Sequence, residues 1–192
     1  MNKEVTFKES RIIGTTILLL GIGFLASVIP EGNIPLLLFN IVLAFISSAL
    51  FYYFWKTTKH QSKRYFSLLS FVMVNVLAIY LSIPLLRMYF LTVTFWIGIV
   101  MLLIMVTLPY FYSREIALGV QKPAKSKLGK IYSVYTVLVI GFGATAFMGS
   151  LATSNPDAIV LAVLAFLLAI LFFFVAPVLL IKPAEMDEIT NG

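Results

Sequence analysis

Six long apolar stretches constrain the fold of this chain more than any other feature of its sequence. Each is between 18 and 24 residues long, and none contains a lysine, arginine, aspartate or glutamate. A helix needs about 20 apolar residues to cross a hydrocarbon core about 30 Å thick. The sequence therefore predicts an all-α, polytopic membrane protein with a single six-helix transmembrane domain. Its helices are expected at about 12–29, 35–55, 65–83, 88–110, 131–151 and 158–181.

The composition of the 192-residue chain supports this class of protein. Hydrophobic residues make up 61% of the chain and charged residues 11%, whereas a soluble domain averages about 45–50% and about 25%. A soluble protein of this size has too little interior to bury so much apolar surface. The chain also has no cysteine, which excludes disulfides, thiolate metal sites and a cysteine nucleophile.

Lysine and arginine residues are distributed unequally among the connections. Thirteen of the fourteen lie before the first span, in the 56–64 and 113–130 connections, or just after the last span, whereas Arg87 lies between the third and fourth. Positively charged loops stay on the cytoplasmic side of a membrane. We therefore expect both termini and both basic loops to be cytoplasmic. The compact loops and the lack of cysteine favour the cytoplasmic membrane of a bacterium.

The remaining connections are short and contain proline. They are PEGNIP at 30–35, about four residues from Pro84 to Arg87, and ATSNPD at 152–157. Proline, glycine and asparagine are typical of tight turns, so we expect three helical hairpins with their turns on the outer side. The acidic segment after the last span, KPAEMDEITNG, is expected to be a short disordered tail.

Small residues recur at helical spacing in the last two spans. Such residues let helices approach closely in a membrane, so we predict that the 131–151 and 158–181 helices pack on each other. An interface with a partner or a second copy is the alternative use of these faces. The first two spans offer smaller sets, with Gly23 and Ser27 in one and Asn40, Ala44 and Ser48 in the other. The candidate packing residues are Gly141, Thr145, Gly149, Ala158, Ala162, Ala165, Ala169 and Ala176.

The few polar side chains within the spans form a second candidate set. Asn75 is expected near the membrane midplane, because it lies about 15 Å into its helix at about 1.5 Å per residue. The set can line a small cavity that opens outward, with Arg87 at its mouth to attract an anion. Alternatively, the asparagines join neighbouring helices by hydrogen bonds and Arg87 extends to the lipid headgroups. The candidate cavity residues are Asn40, Asn75, Tyr80, Arg87, Trp96 and Thr145.

The chain lacks the usual groups for catalysis and ion coupling. All eight acidic residues lie in expected loops, turns or tails, whereas proton-coupled carriers and intramembrane proteases place ionisable groups at depth. The single histidine, His60, lies in a basic loop without an acid, so we interpret it as a solvated residue. The sequence contains no phosphate-binding glycine motif outside an apolar helix. We therefore predict no catalytic, metal-binding or cofactor-binding residue.

Three functional hypotheses follow. The basic loops are expected to attract anionic lipid headgroups at about 1 kcal/mol per base, and they lack the central aromatic residues that stack on nucleic acid bases. We favour a non-enzymatic accessory subunit that binds another membrane protein, in transport, secretion, stress response or immunity. The alternative is a component that binds or conducts a small solute through the outward polar set. The third hypothesis is a membrane enzyme that acts on lipids.

Overall fold

The computed structural model describes residues 4–123, 126–152 and 158–191, and these residues are mostly helical. Helices make up 87% of the structure, and the described residues contain no strand. Six helices are long and apolar enough to span a membrane, which confirms an all-helical fold with six helices of spanning length. The helices are α1 (Ile12–Val28), α2 (Ile34–Thr58), α3 (Ser62–Met88), α4 (Val93–Phe111), α5 (Ser113–Gln121), α6 (Lys127–Ala152), α7 (Ala158–Val175), which continues into a 3-10 helix (Ala176–Leu180), and α8 (Pro183–Asn191).

Helix α3 ends later than the sequence predicts. A turn was expected from Pro84 to Arg87, but α3 continues through both residues to Met88. Proline removes one backbone hydrogen bond from a helix, and packing against neighbouring helices makes such a break tolerable in an apolar span. The turn instead covers residues 89–92, and the Thr92 side chain caps the start of α4. The prediction of a turn at Pro84 is therefore wrong, and Arg87 lies in the last turn of a helix.

Helix α3 is the central helix and packs most extensively against α7. Ala78 of α3 and Ala169 of α7 are completely buried in one cluster with Phe173. Side chains this small let two helix backbones approach closely, which is the main source of packing energy between helices in lipid. Helix α3 also packs against α1 and α2, where Tyr65 and Tyr80 are completely buried. It therefore connects the first two helices to the last long one.

Helices α4 and α6 lie at the edge of the bundle and contact it through narrow strips. Gly98 brings α4 against α3, since a Cβ there would lie 3.0 Å from Leu86 Cδ2. Gly143 brings α6 against α7, with 3.3 Å between its Cβ position and Leu164 Cδ1. In each of these two helices only 11% of the apolar window is buried, against 39% in α3. Most of their apolar surface therefore faces away from the rest of the chain.

Helix α8 packs on α5 at the end of the bundle that carries the basic connections. Arg114 of α5 donates hydrogen bonds of 2.9 and 2.6 Å to Glu185 of α8. Met186 and Ile189 of α8 pack on a buried cluster that contains Ile116. The prediction of a disordered tail is wrong, because these two apolar side chains, one helical turn apart, give the segment a face to bury.

The junction of α5 with α6 depends on two glycines. A Cβ added at Gly119 would lie 2.7 Å from the Cα of Gly129, and one added at Gly129 would lie 2.7 Å from the carbonyl oxygen of Gly119. Backbone atoms this close leave no space for any side chain. Both positions therefore require glycine for the two helices to meet.

Replacing Ala169 with leucine is expected to lower the free energy of unfolding by about 1–3 kcal/mol, because the added carbons overpack the contact with Ala78. Unfolding in mixed detergent and dodecyl sulfate micelles measures this change. Ala144→Leu, on an exposed part of α6, is the matched control and is expected to change the value by less than about 0.5 kcal/mol. Equal destabilisation by the two substitutions would contradict the close contact of α3 with α7.

Candidate functional site

A buried polar cluster joins α1, α2 and α3 close to one end of the bundle. We call it the Asn40 cluster, and it consists of Gly23, Ser27, Asn40, Tyr80 and Arg87. Asn40 is 1% exposed, and its Nδ2 donates hydrogen bonds to the Gly23 carbonyl oxygen at 3.0 Å and to Ser27 Oγ at 2.9 Å. Ser27 in turn donates its hydroxyl to the Gly23 carbonyl oxygen at 2.7 Å. The Asn40 side chain of α2 is thereby hydrogen-bonded to α1 at two points.

Tyr80 connects α3 to the same cluster. Its hydroxyl donates to the backbone carbonyl oxygen of Asn40 at 2.8 Å, and its ring is completely buried. Gly23 is the position that makes this contact possible, because a Cβ there would lie 3.2 Å from both Asn40 Cβ and the Tyr80 ring. Three helices therefore meet at one glycine.

Arg87 extends the cluster to the end of α1. Its guanidinium donates hydrogen bonds to the carbonyl oxygens of Ser27 at 3.2 Å, Ile29 at 3.1 Å and Glu31 at 2.9 Å. The last carbonyls of a helix have no partner within the helix, and a cation there also interacts favourably with the helix dipole. Arg87 thus binds the backbone at the end of α1, a role that its position in the sequence did not indicate.

One atom of the Asn40 cluster has no hydrogen-bond partner. Within the described residues, Asn40 Oδ1 is a buried acceptor that no donor reaches. An unsatisfied buried polar atom costs about 1–3 kcal/mol, so such an atom marks a place where a donor can bind. Tyr80 also lines a crevice of about 180 Å³ between α1, α3 and α7, together with Pro84 and Ala162. The lining of this crevice is almost entirely apolar, so it suits a small molecule with few polar groups.

The other three candidate cavity residues lie outside this cluster. Asn75 donates its Nδ2 to the carbonyl oxygen of Phe71 in its own helix at 2.8 Å. Trp96 is 57% exposed on α4. Thr145 is exposed on α6, and its hydroxyl donates to the carbonyl oxygens of the preceding turn at 3.1 and 2.9 Å. The structure thus brings Asn40, Tyr80 and Arg87 together and leaves Asn75, Trp96 and Thr145 apart from them and from each other.

The two small-residue faces also lie apart from each other. Gly141 and Thr145 are exposed on α6, and among the described residues no atom outside the neighbouring residues and backbone of this helix lies within 4 Å of a Cβ built at Gly141. Gly149 is exposed on the same helix. On α7, the alanine face lies inside the bundle, where it approaches α1 and α3. In that face Ala162, Ala169 and Ala176 are buried, and Ala158 and Ala165 are partly buried. Helices α6 and α7 meet through other residues, so the expected pairing of these two faces is not what the structure shows.

His60 has an acidic neighbour that the sequence did not indicate. Its Nδ1 lies 3.7 Å from Glu4 Oε1, and its side chain is 68% exposed. Glu4 is distant in the sequence, and only the folding of the N-terminal residues against the 59–61 connection brings the two together. No group of three histidine, aspartate or glutamate side chains able to hold a metal ion occurs in the described part of the chain.

Replacing Asn40 with leucine is expected to lower the free energy of unfolding by about 1–2 kcal/mol, because interhelical hydrogen bonds in membrane spans contribute about that much. Asn75→Leu is the matched control. It removes a bond within a single helix and is expected to change the value by less than about 0.5 kcal/mol. Reversible unfolding in mixed micelles compares the two variants, and an equal or larger effect of the Asn75 substitution would contradict the connecting role of Asn40.

Comparison with known proteins gives no relative for this arrangement. No protein-family model matches the chain, and no curated protein or solved structure shows significant similarity to it.

Proposed function

We propose that this protein is a multi-pass protein of a bacterial cytoplasmic membrane, with three helical hairpins and both termini in the cytoplasm. The support is the charge distribution along the chain combined with the contacts at the two ends of the bundle. Val5 N–H donates to the Lys59 carbonyl oxygen, and Arg64 donates to the Leu180 carbonyl oxygen, so the N-terminal residues and the segment after α7 both lie at the basic end. Arg87 lies at the opposite end. The positive-inside rule assigns the basic end to the cytoplasm.

Within that membrane, we propose that the protein is a non-enzymatic accessory subunit that binds a transmembrane helix of another membrane protein. The observation that carries this proposal is the outward small-residue face of α6. Small residues allow the close helix contact that stabilises association in lipid, yet Gly141 and Thr145 face away from α7. Thr145 satisfies its hydroxyl within its own helix, so this face can accept an apolar partner without leaving a polar group unbonded.

The poor burial of α4 and α6 supports the same proposal. Both helices leave most of their apolar surface uncovered by the chain, whereas α3 and α7 bury their small residues against each other. A small face that is used inside the bundle on α7 but presented outward on α6 is what a subunit needs when its bundle is completed by a second protein. Lipid covers the same surface when no partner is present.

A photoreactive probe at position 145 tests the accessory role. The chain has no cysteine, so Thr145→Cys provides a single site for a benzophenone maleimide. Val42→Cys is the matched control, because Val42 is 56% exposed on α2 and lies at a similar depth, about 10–12 Å from the end of its helix at about 1.5 Å per residue. We expect irradiation of native membranes to give a defined adduct with another membrane protein from position 145 and none from position 42.

The other outcomes of this experiment contradict the proposal in different ways. An adduct of two copies of this chain would replace the accessory role with self-association. Equal adducts from both positions would show only contact with abundant neighbours, and the absence of any protein adduct from position 145 would indicate that lipid covers this face.

A small-solute binding component is the second candidate function, and the unpartnered Asn40 Oδ1 favours it. A solute that donates one hydrogen bond would satisfy this buried atom. Native mass spectrometry of gently purified protein is expected to detect a retained small molecule, and Asn40→Leu is expected to reduce its occupancy at least about tenfold, as loss of a buried hydrogen bond of about 1.4 kcal/mol predicts. Asn75→Leu is the control. Equal occupancy of the retained molecule in the two purified variants would exclude this site.

A further inference from the structure

The N-terminal residues fold back against α2 and α3 and leave an open pocket. Val5 N–H donates to the Lys59 carbonyl oxygen at 2.9 Å, and Trp55 Nε1 donates to the Val5 carbonyl oxygen at 2.9 Å. The Tyr65 hydroxyl donates to the Ser10 carbonyl oxygen at 2.7 Å. These bonds hold the segment in place on both helices. This open space, which we call the N-terminal pocket, has a volume of about 440 Å³. Its lining includes Glu4, Lys8, Glu9, Arg11, Ser62 and Phe66.

The two carboxylates of the N-terminal pocket are already bonded within the protein. Glu4 forms an ion pair with Lys59 at 2.9 Å, and the hydrogen bond and charge of Lys59 lower the pKa of Glu4 below its ordinary value. This pair is therefore intact at neutral pH and is lost as the pH falls through the lowered pKa. Glu9 accepts hydrogen bonds from the Thr6 N–H at 3.2 Å and the Thr6 hydroxyl at 2.9 Å.

The two bases of the pocket differ from its acids in this respect. Within the described residues, neither Lys8 nor Arg11 forms an ion pair. The Arg11 guanidinium lies 5.6 Å from the centroid of the Phe66 ring, which orients the group without neutralising its charge. Ser62 adds a hydroxyl to the same pocket. With its acids engaged and its bases available, the pocket offers two cations and a hydrogen-bond donor, the groups that bind a phosphate anion.

The position of the pocket indicates where that phosphate comes from. Arg11 immediately precedes the apolar helix α1, and Ser62 is the first residue of α3. The pocket therefore lies where helices of spanning length enter the hydrocarbon core, at the level of the lipid headgroups. Trp55, which donates a hydrogen bond to the Val5 carbonyl oxygen and whose ring centroid lies 5.4 Å from that of Phe7, is of the residue class that anchors proteins at this level.

We propose that the N-terminal pocket binds the headgroup phosphate of a membrane phospholipid, with Lys8 and Arg11 as its cationic ligands and Ser62 as a hydroxyl donor. The lipid chains extend from the pocket along the apolar surface of the bundle. Bound lipid would stabilise the N-terminal segment in its place on α2 and α3. This site is separate from the outward face of α6, so it does not depend on the accessory role.

Native mass spectrometry of the full-length protein, titrated with phosphatidylglycerol, tests the site. The double variant Lys8→Gln with Arg11→Gln is expected to bind the first lipid about 25-fold more weakly, since each of the two bases contributes about fivefold. Lys8→Gln alone disturbs no bond within the described residues, and about a fivefold loss is expected from it. The double variant Lys56→Gln with Lys127→Gln removes the same charge from exposed positions that do not line the pocket, and it is expected to weaken binding of the first lipid much less than the pocket double variant does, because these two lysines add only to the general attraction of anionic lipid.

Two further arms identify the source of the phosphate. A galactolipid without phosphate is expected to show no difference between the variants. Inorganic phosphate alone is expected to leave the melting temperature of the detergent-solubilised protein unchanged. A different result would overturn the lipid assignment in favour of a soluble phosphate. In that case inorganic phosphate raises the melting temperature, and the pocket substitutions abolish this rise but leave lipid binding unchanged. Equal weakening in the pocket and control variants, or no weakening in either, would overturn the site itself.

Discussion

The contact between α3 and α7 is the interaction that joins the two parts of the bundle, because α1 and α2 pack on α3 whereas, among the long helices, α4 and α6 pack mainly on α7. An apolar side chain such as leucine is as well solvated by lipid tails as by a neighbouring helix, so burial of apolar surface alone does not hold helices together. Ala78 and Ala169 supply what is needed instead, because they let the two backbones approach closely. Helices α1 and α2 pack on another part of the surface of α3, while α4 and α6 contact the bundle through narrow strips.

Two arginines, one near each end of α3, donate hydrogen bonds to carbonyl oxygens at the end of a neighbouring helix. Arg64 donates to the Leu180 carbonyl oxygen at 2.7 Å, at the end of the 3-10 helix that follows α7. Arg87 donates to three carbonyl oxygens at and beyond the end of α1. Carbonyls at a helix end lack partners within the helix, and unsatisfied carbonyls are costly in an apolar environment. Each arginine therefore stabilises the end of a neighbouring helix.

The sequence predicted the number of helices of spanning length, because hydropathy and charge are properties of each segment alone, but it did not predict the short helices α5 and α8. It did not predict which faces meet, since a stripe of small residues identifies a face but not its neighbour. The alanines of α7 and the Gly141 face of α6 have equally regular spacing, yet one lies inside the bundle and the other outside. The sequence likewise did not predict the hydrogen bonds of Asn40, although it showed the four-residue spacing of Gly23 and Ser27. The sequence did not predict the end of α3, because proline is typical of turns and only the packing around Pro84 shows that the helix continues through it.

The distance along the chain between α3 and α7 has a consequence for the synthesis of the protein. Ala78 precedes Ala169 by about 90 residues, which a ribosome adds in roughly 5–20 s at about 5–20 residues per second. In the membrane proposed for this protein, the alanine surface of α3 has no final neighbour during that time. Helices α1 and α2 can already pack on α3, because both precede it. In the proposed membrane, α7 therefore reaches α3 last of the long helices that pack on it, at a surface that lipid covers first.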